Sequence, residues 1–509
     1  MEQYPRGRRG RFAKPLDRVT GARVQIPLAP PVSKEHAWTM RVLFYFQYLL
    51  NIINNVMLKG FSAQRDLTTG SVMKNLILFA LPFFLAYFLN SLYSAIDLFY
   101  IGQFSDVYNV AAVSSGTTVM FAVNSVIMGL ATGGTIVIGQ YFGAKITEGV
   151  SNAIRNFILY MSLVGVSATL LMIGLSFPIM EWMRVEEGAL LLSQKYVIIL
   201  SAGIPLYVGY ISISAILRGL GNSFAGLLFV AFATVSNIGL DYLFVVVLNK
   251  GAIGAALATV IGEAVALISG IIYLIFKRLP YKINLRKGIQ KDYILMIFKT
   301  GLPVALQDGL VVLSFGIVLA ALSSRGAVYT AAVGVTDRIT SFGFVPLSAL
   351  GTAISTATAQ NMGANQIDRV RSYMKCGLVV SSIAAILIGG LLMIIPEKLA
   401  TIFAAHQEDT INLATNYIRT TGTDIFICGL IFPINSVFIG SRHTIFAMTQ
   451  NLGTTFLVRV PFALITCLMV NAPMYIVGLC YPISSLVSLL LCLIFYFSNK
   501  WVNMSKLKK

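Results

Sequence analysis

Residues 139–145 read GQYFGAK, and residues 359–365 read AQNMGAN. The match extends outward from these two stretches. VYNVAAV at 107–113 returns as VYTAAV at 328–333, one residue shorter, and Pro82 has its counterpart in Pro303. The offset is 221 before the missing residue (82 to 303, 108 to 329) and 220 after it (140 to 360, 143 to 363), so a single deletion explains every match. The chain is an internal duplication, and the content of each copy decides the fold.

Each copy is built of membrane spans. The chain has 509 residues, 57% hydrophobic and only 11% charged, with a mean hydropathy of +0.79. A soluble globular chain carries about a quarter charged residues, so the missing charge marks an integral membrane protein. Apolar runs long enough to cross about 30 Å of hydrocarbon lie at 75–102, 109–139, 157–180, 192–217, 224–248, 251–276, 294–322, 327–358, 376–396, 413–440, 444–470 and 473–498. That is six runs per copy, an even number, so both copies enter the membrane in the same direction and are related by an axis along its normal. Secondary transporters use this architecture to rock two bundles around a central site. The expected fold is an all-α membrane protein with twelve transmembrane helices in two six-helix lobes related by a parallel pseudo-two-fold. The N-lobe spans 73–276 and the C-lobe 294–498, joined by a basic cytoplasmic linker at 277–293 and followed by a basic tail at 499–509.

Charge sets the orientation. A net charge of +18 could suggest nucleic acid, but the basic residues sit in short connections between apolar runs rather than along one polar face. Even-numbered connections carry thirteen Lys and Arg, among them Lys145, Arg218 and the run from Lys277 to Lys291. Odd-numbered connections carry four, Arg184, Lys250, Arg325 and Lys398. The positive-inside rule then puts both termini in the cytoplasm of a multi-pass plasma-membrane protein, with the lipid bilayer and not nucleic acid as its partner.

Residues 1–72 form a basic extension whose first 35 residues, rich in Pro and Arg, read as disordered. RVLFYFQYLLNIINNVML at 41–58 reads as an interfacial helix or as part of an upstream extension, with initiation at Met40 or Met57. No small-residue cleavage site follows it, which argues against a signal peptide. The five cysteines form no CxxC pair and read as small buried hydrophobes, and His36, His406 and His443 form no metal-binding pair.

Six of the twenty acidic residues lie inside spans: Asp97, Asp241, Glu263, Asp308, Asp337 and Asp424. A charge at bilayer depth costs roughly 2.5–3.5 kcal/mol on insertion scales, so each is by default a site, an ion path or a pairing. At about 1.5 Å per helical residue, Asp97 lies about 6–8 Å below the outer end of its span, Asp241 about 10 Å, Thr259 about 12 Å and Asn237 about 16 Å. Asn237 and Asp241 share one helix face at i, i+4, and so do Thr259 and Glu263. Carboxylate, amide and hydroxyl oxygens suit a hard monovalent cation. Two nearby carboxylates also repel, which makes a proton a competing occupant. Either Na+ or H+ would relieve the cost of burial.

LPFFLAYFLNSLYSAIDLFYIG (81–102), SNIGLDYLF (236–244) and GAIGAALATVIGE (251–263), together with the duplicated GQ…GA segments, resemble the multidrug and toxic-compound extrusion (MATE) transporters over about residues 66–500. The resemblance implies a cation-coupling site at Asp97, Asn237, Asp241 and Thr259, with Na+ among its expected occupants, and a role for Pro82 in bending the first span. Glu263, Asp308, Asp337 and Asp424 remain as secondary acids. Glu263 adds an acid one turn from Thr259, and the seventh-span position that matches Asp97 is Val318. Asp337 neighbours Arg338, and Arg419 lies near Asp424, so ion pairs of structural value are expected there.

The expected activity is a secondary antiporter, not an enzyme and without a resident cofactor. It would export amphipathic or cationic small molecules in exchange for inward Na+ or H+, and a monomer is expected. A lipid-linked precursor flippase of related design is the alternative, although such relatives often carry fourteen spans and cationic cavities. A membrane-embedded enzyme would need a clustered Asp-rich or His–Asp motif, and a channel would need a ring of like residues. No GxxxxGK[ST] pattern offers direct use of ATP.

Overall fold

The computed structural model describes residues 64–503 except 278, 282, 285–287, 405, 406, 470 and 471. The expectations for residues 1–35, for a helix at 41–58 and for His36 and His406 fall outside the described residues. Among the described residues twelve helices are long and apolar enough to cross a membrane: α1 Val72–Phe104, α2 Val107–Gly143, α3 Thr147–Trp182, α4 Glu187–Gly219, α5 Phe224–Val247, α6 Gly251–Lys277, α7 Lys291–Ser323, α8 Ala327–Gly363, α9 Ile367–Ile394, α10 Glu408–Gly440, α11 Thr444–Leu468 and α12 Met474–Phe497. A short helix, Pro396–Phe403, follows α9, and no strand occurs among the described residues. The twelve expected spans are present, in two lobes of six.

Two helices outrun their apolar stretches the furthest, each at its start. α3 begins at Thr147 rather than 157, and α9 at Ile367 rather than 376. Their first turns carry Glu148 and Asp368, acids placed where a helix dipole favours them. The helices simply continue past the hydrocarbon, where hydropathy no longer reports them.

The duplication is visible in the backbone. Lys145 and Asn365, which close α2 and α8, share the same left-handed turn at φ 58°. Gly221 and Arg442, after α4 and α10, also share it, at φ 85° and 66°. Packing repeats as well: α2 lies on α4 as α8 lies on α10, and α1 crosses to α8 as α7 crosses to α2. Both α5 and α11 contain a π-helical segment, Tyr242–Val247 and Thr455–Arg459.

Twelve spans return the chain to the face on which α1 begins, here the terminal face; the opposite one is the distal face. The lobes meet through their terminal-face halves. There Leu76, Phe79, Ala80 and Phe83 of α1 share a core with Ala349, Leu350, Ala353 and Ile354 of α8. α2 and α7 touch backbone to backbone, since a Cβ on Gly133 would stand 2.6 Å from the Ile297 carbonyl and one on Gly301 2.8 Å from that of Leu130. In the distal halves polar side chains are exposed on the same helices: Asn90 and Ser94 of α1, Ser114 and Thr118 of α2, and Asp337, Arg338 and Ser341 of α8. Charged and polar groups at that depth face water rather than lipid. With the inter-lobe core lying in the terminal halves, we infer that these exposed groups border a cleft between the lobes that opens toward the distal face.

Candidate cation-binding site

Three helices of the N-lobe bring the four expected residues together. α1 packs on α5, and α5 on α6. α1 contributes Asp97, α5 contributes Asn237 and Asp241, and α6 contributes Thr259. Asp97 is 8% exposed, Asn237 2% and Asp241 0%. The Asn237 amide takes its orientation from its neighbours: its nitrogen donates to Asp241 Oδ2 at 2.8 Å, and its oxygen accepts from the Thr259 backbone N–H at 3.2 Å. Asn237 therefore braces α5 to α6 and holds the Asp241 carboxylate in place. Asp97 and Asp241 stand within electrostatic reach of each other.

Two tyrosines complete the site. Tyr93, one turn before Asp97, shares a 2.8 Å hydrogen bond with Thr259 Oγ1. Tyr196 of α4, hydrogen-bonded to Thr117 at 3.3 Å, lies in electrostatic reach of both aspartates. Gly116 makes room for its ring, which a Cβ there would strike. The spacing from Asp97 could have pointed to Tyr93. Nothing in the sequence separates Tyr196 from an ordinary lipid-facing aromatic.

Asp97 Oδ1 and Asp241 Oδ1 are buried without a hydrogen-bond partner, and neither acid is paired with a lysine or arginine among the described residues. A buried carboxylate oxygen with no donor is a binding position for a proton or a hard cation. The π-helical segment begins at the next residue, Tyr242, and such bulges frequently accompany functional sites.

The remaining acids lie elsewhere. Glu263 shares a helix face with Thr259, but its carboxylate turns to α4, with Oε2 3.0 Å from the position of a Cβ on Gly203 and Tyr207 in electrostatic reach. Asp308 is half-buried on α7, and Asp337 is exposed in the cleft. The expected ion pairs are corrected. Arg371 pairs with Asp368 at 3.2 Å, whereas Asp337 makes no ion pair with Arg338, nor Asp424 with Arg419. Buried Asp424 instead faces Arg459 of α11 and accepts a 3.7 Å contact from Cys428 Sγ. Arg459 lies over the rings of Tyr481 and Phe315, at 5.1 and 5.6 Å, and bonds Ser484. Val318, at the place matching Asp97, is packed in an apolar core with Tyr417 and Tyr481. Asp424 Oδ1, like Oδ1 of Asp97 and Asp241, has no hydrogen-bond partner among the described residues, but Asp424 has a guanidinium in electrostatic reach.

Two six-helix lobes around an open cleft, with unpaired acids buried in one lobe, define a membrane transporter of the two-bundle type. The MatE family model matches the chain twice, over residues 82–243 and 303–465, one copy per lobe. The chain belongs to this family, the MATE multidrug efflux transporters. It is 27% identical over 440 residues to the probable multidrug resistance protein YoeA of Bacillus subtilis (strain 168), covering 84% of this chain and 94% of that one. It is 23% identical to the multidrug export protein MepA of Staphylococcus aureus (strain MSSA476), covering 71% and 80%. Among solved structures, a MOP superfamily transporter from Pyrococcus furiosus superposes with a TM-score of 0.80 at 21% identity, over 86% of this chain and 99% of that one. A multidrug resistance MATE family transporter in an outward-facing conformation gives 0.81 at 20% identity, over 87% and 100%. These structures share the fold.

Proposed function

We propose that the chain is a secondary antiporter that exports amphipathic, cationic small molecules while Na+ or H+ moves inward through the N-lobe. The observation that carries this reading is the buried Asp97–Asp241 pair, which has free oxygens and no basic partner. The related proteins described as multidrug resistance and multidrug export proteins support the substrate class.

An inward-moving ion reaches the pair from the distal cleft and screens the repulsion between the two carboxylates. A proton can be held on either free oxygen with Asn237 left as it stands. A sodium ion that recruits the Asn237 oxygen requires that amide to turn away from Thr259, which loosens the α5–α6 brace. Occupancy draws α1 toward α5, because Asp97 and Asp241 are the only members of the set on those two helices that repel. Pro82 lies inside α1 and lacks an N–H for the Leu78 carbonyl, so the helix bends at that turn at little cost. Movement of α1 changes the wall of the cleft, where Asn90, Ser94 and Asp337 are exposed to the exported molecule. The transporter acts as a monomer in the plasma membrane, with the terminal face in the cytoplasm, where the loop lysines and arginines concentrate.

The test is efflux of a cationic dye from proteoliposomes under an imposed Na+ gradient and, separately, a pH gradient. Efflux driven by one of the two supports the reading and names the ion. Efflux indifferent to both overturns it.

A further inference from the structure

The sequence feature that revealed the duplication, the GQ…GA segment, has a structural role of its own. Gln140 Nε2 at the end of α2 donates to the carbonyl of Gly440 at the end of α10, across the lobe boundary, at 3.2 Å. Gln360 Nε2 at the end of α8 donates to the carbonyl of Gly219 at the end of α4, at 3.0 Å. The two bonds are images of each other under the pseudo-two-fold. Both glutamines are fully buried. Between them the helix ends touch: a Cβ on Gly143 would run into the Gln360 carbonyl, and one on Gly363 into that of Gln140.

A strap reinforces one of the pair. Residues Arg65–Gly70, ahead of α1, thread between the lobes at this face. The Arg65 N–H donates to the Gly221 carbonyl of the N-lobe at 3.0 Å. The Leu67 N–H donates to Gln360 Oε1 at 3.0 Å, and the Leu67 carbonyl accepts from Asn361, Arg369 and Tyr373 of the C-lobe. Leu67 is fully buried. Gln360 therefore uses both ends of its amide, whereas Gln140 Oε1 is buried with no partner among the described residues.

We propose that Gln140, Gln360 and the Arg65–Gly70 strap are the gate of the terminal face, positioning groups that set the balance between the distally open state described above and its inverse. They touch neither ion nor exported molecule. Opening the terminal face must break both glutamine bonds and free the strap from one lobe, so their strength enters the conformational equilibrium directly. The inference rests on the alternating-access reading of the function. Gln360, which carries the strap, holds more of the gate than Gln140.

Gln140→Met and Gln360→Met keep side-chain volume and remove the bonds. Hydrogen–deuterium exchange on the full chain in lipid nanodiscs reads both faces at once. The expected result is faster exchange at the terminal face of both lobes, at 64–71, 139–147, 218–224 and 357–367, with slower exchange at the distal connections around 105–110 and 324–330. A shift in the open population of about tenfold per variant is the scale set by one buried hydrogen bond, larger for Gln360→Met. Tyr373→Phe removes one bond from the strap and keeps the ring, so it gives a smaller change of the same sign should the glutamine variants fail to fold. Faster exchange confined to the substituted turn, with the distal face unmoved, overturns the gate, as does no change at all. The native chain compared with and without Na+, and between two pH values, reports on the proposed function separately: failure of both faces to respond there counts against alternating access itself.

Discussion

Asp97 and Asp424 are both buried aspartates in transmembrane helices, yet removing their charge has opposite consequences. Asp97→Asn and Asp241→Asn each delete a charge that no protein cation balances, so gradient-driven efflux is lost while the folded protein is at least as stable as before. Asp424→Asn removes the negative charge that lies in electrostatic reach of Arg459. Losing that attraction leaves the guanidinium without a facing negative charge, so thermal unfolding in detergent moves down for Asp424→Asn and not for Asp97→Asn. Undiminished efflux in both N-lobe variants, or an unfolding temperature equally lowered in all three, contradicts this assignment. Tyr93→Phe removes the hydroxyl bonded to Thr259. It raises the ion concentration for half-maximal efflux by up to about tenfold, the worth of one hydrogen bond. Of the four candidate residues, Asp97 and Asp241 are legible in the sequence because an acid in an apolar run carries its own energetic flag, whereas Asn237 and Thr259 stand out only through their spacing and the family resemblance. Tyr196 carries no such flag, and the partner of Asp424 depends on the register between α10 and α11, which sequence proximity to Arg419 misrepresents.

Helices were the most legible part of this chain, since hydrocarbon thickness dictates an apolar run and nothing else in the fold competes with it. What escaped was the detail along each helix. YLFVVV at 242–247 reads as plain apolar helix, yet it winds as a π-helix where α5 meets α6. Helix ends beyond the hydrocarbon, such as 147–156 and 367–375, lose the apolar signal while keeping helical hydrogen bonds. Glycines are similarly ambiguous until the neighbours are known. Gly143 ends α2 against the Gln360 carbonyl, whereas a Cβ on Gly174 of α3 meets nothing within 4 Å. Gly143→Ala forces the lobes apart at the terminal face and lowers stability by roughly 1–3 kcal/mol, as overpacking does. Gly174→Ala replaces the poorer helix former in open space and gains up to about 1 kcal/mol. Thermal unfolding of the two variants side by side checks the contrast, and equal shifts of one sign refute it.

For the molecule as a whole, function depends on which face is which. The lobes are sealed at the terminal face by reciprocal helix-end contacts, and the N-lobe holds the one pair of neighbouring buried acids, Asp97 and Asp241, identified among the described residues. In the proposed cycle an ion reaches Asp97 and Asp241 in this state through the distal cleft. The direction of transport then follows from topology. Val107 begins α2 at the distal face and is 77% exposed, while Glu148 is exposed at the opposite end of the bundle. A membrane-impermeant thiol reagent applied to intact cells should label Val107→Cys and leave Glu148→Cys untouched until the cells are permeabilised, each scored against the native chain with its five cysteines. That pattern puts the open cleft outside, so the ion gradient must run inward for export. Proteoliposomes sorted by orientation extend the argument: reversing the gradient should reverse the movement of the dye, because the same acids are then loaded from the other side. Labelling of Glu148→Cys in intact cells would place the sealed face outside and turn the proposed exporter into an importer.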